Sequence, residues 1–422
     1  MYKKTVFDNG LRVVSCAMSQ RESVGLGVWV GAGGRYEDKH NKGVAHFLEH
    51  MVFKGTRRYG NRAIKESIEG IGGTLNAFTS EEHTCYFVKI PKQYVELSLR
   101  ILSDMVLNPL LKTVDINKER TVIIEEIKMY KDLPQEHVHE ILDSLVWPNH
   151  PLGMSIAGSI ESVSGLQRSD FVGFRKKFYQ PANVVVVATG NLHHGKFAKL
   201  ADSIFRRESS QERVDFVPVV HAQKQPQFRC ERRDIEQTHI SLGMPSIHRN
   251  HPDRYCVGLM NIILGANMSS RLFHELREKR GLAYAVGSYA KVLQDTGIFG
   301  VRAGIENSKV VDSIEVILRE LKRLTKENVR AQELSRAKEY LLGQLTLSLE
   351  DTLDQMAFVG EQIVSRNKIS TLKQIAVRVG KVRIADIRRV ARMIFRRNAM
   401  NLAVIGPVSQ KNERTIKNLV GA

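Results

Sequence analysis

His46 and His50 stand four residues apart, with Glu49 immediately before the second histidine. Positions i and i+4 share one face of a helix. Two neutral imidazoles on that face can grip one metal ion. Glu49 falls about 60° round the helix from His46, within reach of a water on such an ion. His-Phe-Leu-Glu-His is the inverted order of the commoner His-Glu-x-x-His zinc motif. Both orders answer the same geometric need. The chemistry implied is that of a metal-dependent hydrolase, foremost a peptidase.

A catalytic zinc takes three protein ligands and keeps one position open. The segment from Ile116 to Tyr130 reads as a helix with Val122, Ile123 and Ile127 on its apolar face. Glu119 and Glu126 are two turns apart on it and align within roughly 20°. Glu125 points about 100° away from Glu126. Glu126 is therefore expected to be the third ligand. Glu119 is expected to be an auxiliary carboxylate behind the ligands, because ligands need partners to hold them.

Together these stretches resemble the pitrilysin/insulinase family of zinc peptidases. The likeness is to the short-subunit branch that includes the mitochondrial processing peptidase beta subunit and its bacterial relatives. It is carried by Gly43 to Thr56, Glu126, Gly72 to Thr79, His150-Pro-Leu-Gly153 and Ser270 to Tyr284. The resemblance implies one Zn²⁺ per chain held by His46, His50 and Glu126, with Glu49 as general base. It implies that Asn76, Ala77 and Thr79 lie on an edge strand that binds peptide substrates. It implies that Arg277 and Tyr284 contact the substrate from the second half. Phe53 matches a position lining the pocket just after the scissile bond.

The chain has 422 residues, enough for two or three domains. A duplication divides it. Asp170 to Gly190 and Asp386 to Gly406 share a pattern of basic helix followed by buried strand, offset by 216. The same offset maps Val24-Gly-Leu-Gly27 onto Ile240-Ser-Leu-Gly243. Two homologous α+β halves are expected, 1–210 and 227–422, joined by a polar linker at 211–226. Lys309 to Leu347 reads as a long amphipathic helical region broken near Thr325. Helices and strands do not alternate strictly, which favours α+β over a doubly wound sheet. The resemblance implies a mostly antiparallel sheet in each half, with helices packed on one face. The second half has no His-x-x-Glu-His at the offset position, so one active centre per chain follows.

Several activities are set aside. The glycines at 25, 27, 31, 33 and 34 form no dinucleotide fingerprint, and no phosphate loop is present. No apolar run approaches the ~18 residues of a membrane span, and the first ten residues do not read as a signal peptide. Four unpaired cysteines fit a reducing, cytoplasmic setting. Net charge is +18. Residues 1–200 carry 26 Lys/Arg against 21 Asp/Glu, and residues 201–422 carry 37 against 24. The arginines at 383, 388, 389, 392, 396 and 397 lack any stacking or groove-reading module, so no nucleic-acid partner is expected. A positive chamber would favour acidic or neutral peptides, so the resemblance is not extended to presequence cleavage.

His137-Val-His139 reads as a solvated loop rather than a second metal site, and His193-His194 as surface. Glu81, Glu82 and His83 read as an exposed turn. A non-catalytic assembly subunit is the alternative function, and the intact His46, Glu49, His50 and Glu126 set argues against it. Longer relatives enclose a chamber with four such halves. A chain with two halves is expected to pair, as a homodimer before a heterodimer with an inactive homologue.

Overall fold

The computed structural model describes residues 2–206 and 215–422, so part of the expected linker at 211–226 lies outside the described residues. Two compact units divide the chain. The first comprises Met1–Lys128, Ser155–Val217 and Thr346–Ser370. The second comprises Met129–Met154, Pro218–Leu345 and Thr371–Ala422. Each unit thus takes in a segment from the opposite half of the sequence.

The first unit is built on strands β1 (Tyr2–Val6), β2 (Arg12–Ala17), β3 (Ser23–Val30), β4 (Thr74–Thr79), β5 (Thr84–Pro91) and β6 (Val184–Gly190). Their order is β1-β2-β6-β3-β5-β4, and only the β2–β6 pair is parallel. The Val-Val-Val-Val-Ala-Thr-Gly run of β6 is buried throughout, as a strand covered on both faces must be. On one face Leu26 and Val28 join Phe47, Leu48, Leu102 and Phe171 in the main core. On the other face Trp29, Val185 and Val187 pack with Met356, Val359 and Ile363 of the helix Thr352–Arg366. The sheet is mostly antiparallel as expected, and its second face is covered as well as its first.

The second unit repeats the plan with β7 (Gln227–Arg232), β8 (Gln237–Ser246), β9 (Ala283–Val292), β10 (Gly297–Glu306) and β11 (Asn401–Gly406). Their order is β7-β11-β8-β10-β9, with only β7–β11 parallel. The helix Pro134–Val146 packs Leu142 against Ile298, Ala403 and Ile405 on one face. Phe299 meets Phe395 on the other. The repeat is visible in the elements themselves. Helix Arg168–Phe178 precedes β6, and helix Ile384–Ile394, 216 residues later, precedes β11. The region from Lys309 to Leu347 forms two helices, Val310–Lys326 and Ala331–Ser348, with the break just after Thr325.

Glycines explain how a helix lies so close to each sheet. A Cβ on Gly27 would sit 2.4 Å from Met356 Sδ, and one on Gly243 would sit 2.9 Å from Leu142 Cδ2. These two glycines are 216 residues apart and do the same work in the two units. The fit in the first unit is reciprocal, because a Cβ on Gly360 would lie 2.1 Å from Trp29 Cε2. Trp29 cannot retreat freely, since it is buried and its Nε1 donates to Met356 Sδ at 3.3 Å. A glycine-to-alanine change inside a helix ordinarily stabilises by up to ~1 kcal/mol. Gly360→Ala is expected to reverse that sign and destabilise by ~1–3 kcal/mol through overpacking. Chemical denaturation of the two proteins measures the difference, and a stabilised variant would refute the reciprocal fit.

Candidate metal centre

The helix Val44–Val52 buries Val44, Ala45, Phe47, Leu48, Met51 and Val52. That leaves its remaining face to His46, Glu49 and His50. Its start is fixed by a residue with no signature in the motif. Glu37 is buried, and its carboxylate accepts from Gly43 N at 3.1 Å and Ala45 N at 2.7 Å. Lys42 Nζ pairs with the same carboxylate at 3.0 Å. Burial pushes the Glu37 carboxyl upward, and Lys42 and the two amides oppose that shift. Gly43 takes φ 95°, the left-handed region that favours glycine, and a Cβ there would strike Ala157 O at 2.7 Å.

The facing element is the helix Thr113–Asp132. Its buried residues are Ile116, Glu119, Ile123 and Ile127. Val122, expected on the apolar face, is exposed, and Ile116 takes that role. Residues 116, 123 and 127 keep the three-and-four spacing of one stripe, from which 122 departs. Glu119 sits in the buried stripe itself.

Three groups converge between the two helices. The ligand atoms of His46, His50 and Glu126 all lie within 4.8 Å of one another. His46 Nε2 is 3.7 Å from Glu126 Oε1, and His50 Nε2 is 3.6 Å from Glu126 Oε2. Ligands of a tetrahedral zinc stand about 3.3–3.5 Å apart, so the two histidine–carboxylate distances are close to what that ion needs, and the three groups as a set would draw together around it. Burial and the neighbouring His50 pull the His46 pKa down to about 4, which keeps this imidazole neutral and able to bind a metal. His46 Nδ1 is buried without a hydrogen-bond partner among the described residues, so packing orients that ring.

His50 is held differently. Its Nδ1 lies 3.0 Å from Glu119 Oε1, and the other oxygen of Glu119 pairs with Lys54 Nζ. Burial lowers the His50 pKa, but the Glu119 bond, Glu126 and Glu49 outweigh it and leave the net shift upward. Glu119 moves the other way. Its burial is overcome by the His50 and Lys54 bonds, and its pKa falls. Glu126 is raised by burial, His50 opposes the shift, and Glu119 adds to it.

Glu49 faces the edge strand β4. Thr79 Oγ1 donates to Glu49 Oε2 at 2.6 Å. Burial raises the Glu49 pKa, the Thr79 bond and His50 oppose this, and Glu126 adds to it. Asn76 and Ala77 lie on the same strand, which ends the sheet and so leaves one row of backbone groups unpaired by any strand among the described residues. Phe53 caps the C-terminus of the motif helix and packs against the main core. In the second unit the Arg277 guanidinium lies 5.3 Å from the Tyr284 ring centroid, and Tyr284 is 72% exposed.

Other expectations need correction. His137 and His139 are not in a solvated loop but on the helix Pro134–Val146. His137 sits between Glu140 at 3.1 Å and Glu231 at 3.3 Å, and His139 Nδ1 meets Ser241 Oγ at 3.0 Å. The turn at 81–83 is not exposed, because Glu82 forms a buried ion pair with Arg35 at 2.7 Å and His83 packs beside Trp29. His194 is not merely surface, since its ring bridges Thr5 and Ser15. Arg389 of the basic stretch is bound to Asp253 at 2.6 Å. Glu37, Lys42 and Lys54 went unselected in the sequence because each acts through a contact that helical spacing does not encode.

A two-histidine, one-carboxylate cluster with a further carboxylate beside an open sheet edge is the layout of a metallohydrolase. Comparison with known proteins agrees. Residues 12–159 match the model described as insulinase (peptidase family M16), and residues 165–341 match the peptidase M16 inactive domain. An uncharacterized zinc protease of Streptomyces coelicolor is 33% identical, covering 99% of this chain and 92% of its own. The uncharacterized zinc protease YmxG of Bacillus subtilis is 33% identical, covering 96% and 98%. The crystal structure of a protease from Helicobacter pylori shares the fold, with a TM-score of 0.90 at 23% identity, covering 96% of this chain and 99% of that one. The chain belongs to the insulinase family, peptidase family M16. Among the described residues no helix is long and apolar enough to cross a membrane.

The raised His50 pKa sets a pH dependence for zinc uptake. Zinc needs the neutral imidazole, so affinity is full above that pKa and falls as pH drops through it, about tenfold per unit. Glu119→Gln removes the bond that raises it and is expected to move the fall to lower pH. It should also weaken zinc binding at alkaline pH by about 10–100-fold, because the ring loses its anchor. Chelator competition across pH measures both effects. An unchanged midpoint would show that Glu119 does not set the His50 pKa.

Proposed function

We propose that this protein is a zinc-dependent endopeptidase that cleaves peptides or unfolded segments. The observation that carries the reading is the convergence of His46, His50 and Glu126 beside a Glu49 that is itself bonded to the edge strand β4. His46, His50 and Glu126 would hold one Zn²⁺ per chain. Zinc there would polarise the scissile carbonyl and acidify a water. Thr79 fixes Glu49 Oε2 and leaves Oε1 to take a proton. Burial raises the basicity of that carboxylate, which suits a group that accepts a proton and then delivers it to the leaving amine. The unpaired edge of β4 binds the substrate backbone as an added strand, a mode that tolerates varied sequences. Arg277 and Tyr284 contribute further contacts to the substrate backbone. The protein acts in the cytoplasm in this reading.

Glu49→Gln is expected to retain zinc and its melting temperature while turnover of a quenched peptide drops by about 10²–10⁴-fold. Turnover near that of the parent protein would remove Glu49 from the role of base. Glu126→Gln is expected to lose most of the metal, measured by elemental analysis, and full occupancy would move the third ligand elsewhere. Assembly as a homodimer belongs to the same reading, since a chain with two halves closes most simply by two-fold pairing. Light scattering should return twice the chain mass, and a monomer with full activity at nanomolar concentration would reject the pairing.

A further inference from the structure

The second unit holds a cavity of about 520 Å³ lined by the first turns of helix Pro134–Val146 and by strands β8, β9 and β10. The strand register explains its floor. His239 lies opposite Gly304, which lies opposite Ala285, and Ser241 lies opposite Arg302, which lies opposite Gly287. Small residues thus alternate with polar ones on one face of the sheet. A Cβ on Gly304 would already come within 3.1 Å of Gln237 Oε1. Val138, Met268 and Phe273 add apolar walls.

Its polar groups are incompletely used. Arg302 is exposed and has no hydrogen-bond or ion-pair partner among the described residues. His139 commits Nδ1 to Ser241 and keeps Nε2, and the half-buried His239 has no side-chain hydrogen bond among the described residues. Burial, with Arg302 and Lys291 nearby, pulls the His139 pKa down to about 4, and burial also lowers His239. Both rings are therefore neutral at physiological pH, and each can donate from one nitrogen. Glu136 also lines the cavity, but it is exposed and does not pair with Arg302.

An unpaired guanidinium with neutral imidazoles around it is complementary to a ligand group that only accepts hydrogen bonds. The volume is too large for a bare ion and typical of a small organic ligand. We propose that this cavity binds a small amphipathic anion, a carboxylate or phosphate attached to an apolar body. Arg302 takes the charged head, His139 and His239 supply neutral donors, and Met268 and Phe273 cover the body. None of these residues belongs to the metal cluster.

N-acetyl-leucine and N-acetyl-leucine amide serve as probes, with binding followed by calorimetry on the full chain. The acid is expected to bind at least about tenfold more tightly than the amide, since only the acid offers a charged acceptor to Arg302. Arg302→Met should weaken the acid at least about tenfold, and Gly304→Val should weaken acid and amide alike by filling the floor. Both variants should keep the parent melting temperature. Competition by inorganic phosphate would assign the head to phosphate chemistry, and its absence would assign it to a carboxylate. Binding should persist in Glu49→Gln and after zinc is chelated. Equal binding of acid and amide, an unaffected Arg302→Met, or no binding of the acid would overturn the proposal. Loss of binding on chelation would place the probe at the metal cluster and overturn it too, whatever the fate of the peptidase reading.

Discussion

The metal centre depends on one hydrogen bond, which His50 Nδ1 donates to the Glu119 carboxylate. Two helices supply the ligands, and neither can orient a ring on the other by its own periodicity. Glu119 sits in the buried stripe of its helix, where an unpaired carboxylate would be costly. His50 and Lys54 offset that cost, and in doing so they fix the imidazole and the spacing between the helices. Glu126, two turns further on, then faces the two imidazoles. The stability of the carboxylate and the geometry of the ligands are thus one problem with one solution.

A second buried carboxylate works at the opposite end. Glu37 accepts from the amides that begin the motif helix, with Lys42 as its counter-charge. A helix N-terminus favours negative charge, so this contact is favourable in its own right. It also sets the rotation and entry angle of the helix. Six side chains then bury its other side, and His46, Glu49 and His50 can face only the cluster and β4.

Periodicity made much of this legible. Spacing of four put two imidazoles on one face, and spacing of seven put two glutamates on another. The buried Val run and the offset of 216 located the central strands. What periodicity does not encode is partner identity across the fold. Lys54 and Glu37 matter through residues that are not their helical neighbours. Nothing local in sequence marks the packing roles of Gly27 and Gly243, because the helices crossing their strands come from the opposite half of the sequence. His139 looked solvated because nothing nearby in sequence announces Ser241 or Tyr289. Val122 adjoins Ile123, but helical neighbours diverge by about 100°, which turns it outward.

The duplication also bears on what the second unit retained. The positions 216 residues after Glu49 and His50 are Gly265 and Ala266. Both line the cavity that contains Arg302. Where the first unit has an acid and an imidazole, the second has two small residues. A Cβ on Gly265 would already meet Ser288 N at 2.5 Å, so the close approach of this segment to β9 depends on having no side chain there. In the first unit the corresponding positions belong to a set of imidazoles and carboxylates that suits a cation. In the second unit the cavity combines apolar walls with Arg302, two imidazoles and the exposed Glu136. In the reading proposed above, the two halves share a scaffold and present opposite charge requirements, a metal site in one unit and an anion site in the other.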